Sequence, residues 1–222
     1  MALKGLNDFM ASINNDGILK SNKHLVTISF NSAAPGSVAH YMTRRAYKGV
    51  DKQKEKDLFS LRCEEIQLPG VYLASADGPP RLGYGPMERR PYGANFEDLV
   101  LTFIVDAESR VHQMMFDWVN SIVNFQSKGL AAPELRAGPL REGGGQSYEV
   151  GYRDNYAATI DITVYQQGSA VDGEKLKAMK ITCYNAFPMG FPSIGMNWEV
   201  HEPMRIQIPF AYTDYSIKYG PF

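Results

Sequence analysis

Residues 156–165 read YAATIDITVY, and their alternation decides the fold class. Tyr156, Ala158, Ile160, Ile162 and Val164 fall on one face of an extended chain, and Ala157, Thr159, Asp161, Thr163 and Tyr165 on the other. A half-buried β-strand requires this period of two, because successive side chains point to opposite sides of the sheet. MRIQIPFAY at 204–212 repeats the pattern, with Met204, Ile206, Ile208, Phe210 and Tyr212 sharing a face. A chain patterned this way presents sheet faces and edges, which suits assembly better than catalysis.

Other strands are expected around these two. HLVTISF at 24–30 places Val26, Ile28 and Phe30 together, and LFSLRCEEIQL at 58–68 runs into the Pro69-Gly70 turn signal. Residues 81–92 read as extended, although Gly83, Gly85, Pro86 and Pro91 exclude a regular central strand. Gly93 and Asn95 suggest a turn before 99–105, whose β-branched and aromatic content fits a strand covered on both faces. Residues 175–185 make another strand, followed by the turn-rich run NAFPMGFPSIG.

The clearest helix spans about 109–126. Val111, Met114, Met115, Trp118, Ile122 and Phe125 form its apolar stripe, widened by Phe116, Val119 and Val123, with Ser109 placed to cap it. Leu3, Leu6, Phe9, Met10 and Ile13 have helical spacing up to Gly17. The expectation is a single domain over 1–222 with insertions at 31–57 and 128–153. The first insertion holds six Lys/Arg against three Asp/Glu, and the second contains Pro133, Pro139 and Gly143-Gly144-Gly145.

Composition narrows the function. The chain has 222 residues, of which 44% are hydrophobic and 21% charged, enough to bury a core and too apolar for wholesale disorder. Its 23 basic and 24 acidic residues give a formal charge of -1, unlike a protein that grips nucleic acid through phosphates. No run approaches the ~20 apolar residues of a spanning helix, so no membrane anchor is expected and cytoplasmic synthesis fits. Cys63 and Cys183 read as small buried residues rather than a disulfide.

Reactive constellations are weak. His24, His40, His112 and His201 make no metal-ligand spacing, so neither metal nor cofactor is expected. Glu64 and Glu65 would point oppositely on a strand, which disfavours paired-carboxylate hydrolysis. Gly143–Gly145 lacks the phosphate-loop register, and Ser121 and Ser193 lack a nucleophile elbow. Cys63 would need a base supplied by folding, or a lowered thiol pKa. Arg81, Arg89 and Arg90 with Tyr84 and Tyr92 look like a nucleic-acid platform only superficially, since Glu88 and nearby prolines interrupt it. No enzyme is expected.

Five stretches carry a family resemblance: CEEIQLPG at 63–70, GANFEDLVLTFIVD at 93–106, FDWVNSI at 116–122, YNAFPMGFPSIGMNW at 184–198 and MRIQIPFAYTDY at 204–215. Their order resembles the tail-tube proteins of contractile-tailed, T4-like bacteriophages. The resemblance implies a mainly β protomer, an antiparallel sandwich or barrel-like fold with a flanking helix. It also implies self-association into hexameric rings stacked into the inner tube of a virion tail, with sheath and baseplate proteins as partners and double-stranded DNA passing through the lumen. Candidate inter-subunit or turn contacts are then Leu68, Pro69, Gly70, Trp118, Phe187 and Pro188, with Asn185 and Ala186 in the same turn. Thr159, Asp161 and Thr163 become candidate channel-facing residues. The alternatives are a tube-initiating baseplate protein, a β-rich cysteine-dependent hydrolase with Cys63 or Cys183 beside a histidine, and a nucleic-acid-binding module at Arg81–Tyr92.

Overall fold

The computed structural model describes residues 19, 21–31, 62–78, 83–85, 87–123, 150–166, 177–198 and 202–220. The expected amino-terminal helix, nearly all of the 31–57 insertion and most of 128–153 lie outside them. The described elements are β1 (His24–Phe30), β2 (Cys63–Gln67), β3 (Val71–Gly78), β4 (Glu88–Phe96), β5 (Leu99–Ile104), α1 (Arg110–Ile122), α2 (Arg153–Tyr156), β6 (Ala158–Tyr165), β7 (Lys177–Pro188), β8 (Arg205–Ala211) and β9 (Asp214–Tyr219).

The strands form two antiparallel layers that share β7. Sheet A runs β1-β6-β7-β9, and sheet B runs β2-β5-β8 to the end of β7. β8 and β9 follow β7 in one register, from Met179 opposite Tyr219 to Pro188 opposite Phe210. They are therefore one long strand bent at Tyr212-Thr213. β7 bends beside it at Asn185, whose φ of 52 is left-handed. An extra residue in β7, opposite the step from Ala158 to Ile160, marks a bulge at the same place. Asn tolerates this backbone region several-fold better than most residues, which is why the corner falls on it. Its side-chain oxygen accepts from Asn31 Nδ2 at 3.0 Å, and Asn31 in turn accepts from Thr159 Oγ1 at 3.0 Å. The NAFP run expected to be a turn is thus a strand passing from one sheet into the other.

The alternation holds over 158–165 and 204–212, whereas Ala157, expected on the outer face, is buried. Ala158, Ile160, Ile162 and Val164 are buried, and so are Ile206, Ile208 and Phe210. They meet Val26, Leu99, Leu101, Phe103 and Cys183 in one core. Each fully buried large side chain contributes roughly 1.5–3 kcal/mol by transfer from water. Tyr156 differs from the expectation, closing the one-turn helix α2 before β6 starts.

Helix α1 covers this core with Val111, Met114, Met115 and Trp118. Trp118 sits between Phe30 and Phe210, at centroid distances of 4.8 and 5.7 Å, and donates from Nε1 to the Tyr156 carbonyl at 2.8 Å. Ser109 does not cap the helix through its side chain. Asp106 does so, its Oδ1 accepting from the Arg110 and Val111 amides at 2.8 and 3.4 Å. Described helix ends at Ile122, and Val123 turns extended to bridge Val150.

Sequence reading missed β3, because VYLASADG carries no clean alternation and every apolar residue in it is at least partly exposed. Its partner β4 continues through Gly93 and Asn95, so the expected turn there moves to Glu97-Asp98. A bulge between Ala74 and Ser75, opposite Pro91–Gly93, absorbs the proline and glycine. β3 and β4 form a separate two-stranded hairpin.

Candidate assembly interface

Three surfaces stand out: the outer face of sheet A, the open strand edges, and the hairpin. On sheet A, residues paired across antiparallel strands share a face, so the register defines its rows. Thr27, Asp161, Thr182 and Ser216 make one outward row, and Leu25, Thr163, Lys180 and Lys218 the next. Ser29 and Thr159 continue the face towards the Asn185 corner. The three residues singled out as channel-facing, Thr159, Asp161 and Thr163, therefore lie together on one polar surface. Asp161 accepts from Thr182 Oγ1 at 2.6 Å and pairs with Lys180 Nζ at 3.1 Å. With Asp214 and Lys218 on β9 and Lys177 on β7, these strands carry two acids against three bases.

Among the described residues, β1 and β9 each have one paired side. Tyr165 donates its amide to the Lys23 carbonyl at 2.9 Å, and Asn31 to Ala157 at 3.3 Å. By alternation, the amides of Leu25, Thr27 and Ser29 face β6, whereas those of Val26 and Ile28 face the open edge. Gly220 donates to Ala178 at 3.0 Å. The same parity turns the amides of Tyr215, Ile217 and Tyr219 away from β7. Sheet A has an even number of strands, so its two edges run in opposite directions.

The hairpin is exposed along most of its length. Tyr72, Leu73, Tyr84, Met87 and Tyr92 are 62–78% exposed. Arg89 pairs with Asp77 at 3.3 Å and Arg90 with Glu88 at 2.9 Å, so the cations of the superficial nucleic-acid platform are matched by acids. Arg81 lies outside the described residues. Leu68-Pro69-Gly70 leads from β2 into this hairpin, and the Gly70 carbonyl accepts the Glu97 amide at 3.0 Å to close its base. A Cβ on Gly70 would come within 2.5 Å of the Glu97 carboxylate. Leu68 is exposed, whereas Trp118 and Pro188 are enclosed by their own chain and Phe187 is half-buried against Tyr156. Of these candidate contact residues, Leu68 is the most open to a neighbour.

The remaining chemistry is structural. Burial pushes the thiols of Cys63 and Cys183 up to about 12, opposite to the activation a cysteine hydrolase needs. Cys63 Sγ contacts the Glu65 carbonyl, and Cys183 is fully buried. Glu64 does not form a carboxylate pair with Glu65. It sits at a bulge in β2, and Arg205 on β8 reaches it at 2.5 Å, holding its carboxyl below the usual range. His24 contacts the Ser21 carbonyl and His112 packs edge-on to Phe191, while His40 and His201 lie outside the described residues. Among the described residues no cluster of His, Cys, Asp and Glu has a metal-binding arrangement, and no helix is long and apolar enough to cross a membrane.

Two strand-sharing antiparallel sheets, a covering helix and a projecting hairpin make up the described protomer. The fold is similar to a chain in the six-fold-symmetrised cryo-EM structure of the anti-feeding prophage baseplate. That match has a TM-score of 0.55 at 11% identity, covering 91% of this chain and 97% of the other. It is also similar to a chain of the sheath-tube complex of an extracellular contractile injection system, PVC, in its extended state. There the TM-score is 0.53 at 11% identity, over 94% and 97% of the two chains. No curated protein matches by sequence. The pattern of the family described as phage tail tube protein matches residues 19–218, and the chain belongs to that family.

Proposed function

We propose that this chain is the subunit of a phage inner tail tube, closing into hexameric rings that stack and conduct the viral genome during ejection. The observation that carries this reading is the pair of open, oppositely directed edges on sheet A. Placed head to tail around an axis, β9 of each copy meets β1 of the next in antiparallel pairing, and the sheet becomes a closed wall. Ring closure satisfies the outward amides of Val26, Ile28, Ile217 and Tyr219, which are left without a strand partner among the described residues.

The polar face carrying Thr159, Asp161 and Thr163 then lines the lumen. Its hydroxyls and interspersed acids, with Asp161 paired to Lys180, give passing DNA little to adhere to, whereas a face of lysines without acids would hold it through counterion release. The exposed hairpin, aimed by Leu68-Pro69-Gly70, contacts the adjacent ring. Trp118, Phe187 and Pro188 act from within, fixing the wall that the neighbours meet. One similar chain comes from a sheath-tube complex and another from a baseplate, so sheath and baseplate proteins are the partners proposed, within a virion tail. The role is structural, with no catalytic step.

Electron microscopy of the purified full chain at rising concentration tests the proposal. Rings or hollow tubes of constant diameter are expected. Protein that stays monomeric at every concentration and ionic strength overturns it.

A further inference from the structure

From the β1 edge, the two sheets part between β1 and β2 and leave a cleft of about 600 Å³ that runs beneath β6 to Met179 on β7. Ile66, Leu68 and Glu65 line its sheet B side, Val164 and Met179 its sheet A side, and His24 its β1 end. The β9 flank carries the opposite shape. Tyr215, Ile217 and Tyr219 pair with Cys183, Ile181 and Met179, so they point to the core side of sheet A. Tyr215 packs on the core, but Ile217 is 36% and Tyr219 75% exposed. Among the described residues, Ile217 and Tyr219 have no cover beyond β9, and the cleft at the β1 edge, part apolar and part polar, has no filling.

We propose that Ile217 and Tyr219 of one copy of this chain fill the β1–β2 cleft of the next. The inference rests on the ring reading and goes beyond it by naming the side chains that seal each joint. Parity of the open edges requires it. The outward amides of β1 belong to core-facing residues, Val26 and Ile28, and those of β9 to core-facing Ile217 and Tyr219, while Tyr215 already donates to Asp214 Oδ1 at 2.8 Å. Hydrogen-bonded pairing of these edges therefore sets core-facing side chains beside core-facing side chains. In the level register Ile217 lies opposite Val26 and Tyr219 opposite His24, at the end of β1 where the cleft opens. Any slip by two residues keeps the same face. A slip by one breaks the hydrogen bonds.

The test places Leu68→Cys and Ile217→Cys in the full chain and joins them with a short bis-maleimide during assembly. The double variant should give a denaturing-gel ladder ending at the closed ring, and a mixture of the two single variants should stop at dimers. The native thiols, Cys183 fully and Cys63 partly buried and both pushed up to about 12, supply little background. As a second measure, Tyr219→Ser should leave the melting temperature of the monomer unchanged and raise the concentration needed for rings at least tenfold. Rings seen by microscopy without cross-linking, and with Tyr219→Ser assembling normally, overturn the cleft assignment and leave the ring reading intact. Absence of both rings and cross-links overturns the two together.

Discussion

At the scale of single residues, Asp161 has the clearest functional consequence. It sits mid-strand on β6, accepts from Thr182 and neutralises Lys180. Partial exposure keeps the pair's contribution to stability small, in the range of about 0.2–1 kcal/mol. Its larger effect is on the field over the sheet A face. Asp161→Asn preserves the hydroxyl contact and leaves Lys180 uncompensated beside Lys218, repeated at every protomer of the wall. Tubes of the variant should retain short duplex DNA at low salt, with retention falling steeply as salt rises, while unaltered tubes release it under the same conditions. A co-sedimentation assay across a salt series reads this. Equal retention by both would place that face away from the lumen. The polar identity of this face was legible from period two alone. The compensation was not, because Asp161 and Lys180 are neighbours only once β6 and β7 pair.

At the scale of elements, the corner at Asn185 decides whether β7 can serve both sheets. The sequence marks the place correctly, since Asn-Ala-Phe-Pro carries turn-favouring residues. It marks the wrong kind of bend, because a local pattern cannot show that β8 and β9 follow alongside in one register. β3 was illegible for a related reason: a strand with no buried face leaves no alternation to read. Helix α1 was readable from its stripe, while its cap was hidden. Asp106 works from three residues before the cap position, with Ser109 left-handed beside it. The Asn185 corner can be tested by stability. Asn185→Val puts a β-branched residue at a φ of 52 and should cost about 1–2 kcal/mol from the backbone alone, besides the lost Asn31 contact. Asn185→Gly should lose less, since glycine adopts that conformation freely. Urea midpoints of the three proteins give the order. A Val variant as stable as the parent would remove the corner from any structural role.

At the scale of the whole molecule, folding and assembly place separable demands on the same sheet. The core is completed within one chain, from Val26 through Phe210, whereas the edges of sheet A are completed by no described residue of it. A substitution that acts only on an edge should therefore stop assembly and spare the protomer. Ile217→Pro meets that condition. Its amide points away from β7, so proline there removes no bond of the β7–β9 ladder, and edge strands accept proline where the lost donor faced outward. The preceding Ser216 is already extended, as a residue before proline prefers. In the proposed joint with β1 of the next copy, proline removes a donor and crowds the incoming strand. Ile217→Ser serves as the control, trimming the side chain and keeping the amide. The proline variant should melt within a few degrees of the parent and remain monomeric where the parent forms rings. The serine variant should form rings at a raised concentration, because it keeps the backbone pairing and loses only the apolar filling. Should the proline variant assemble as readily as the parent, β9 is not the joining edge, however complete the rings.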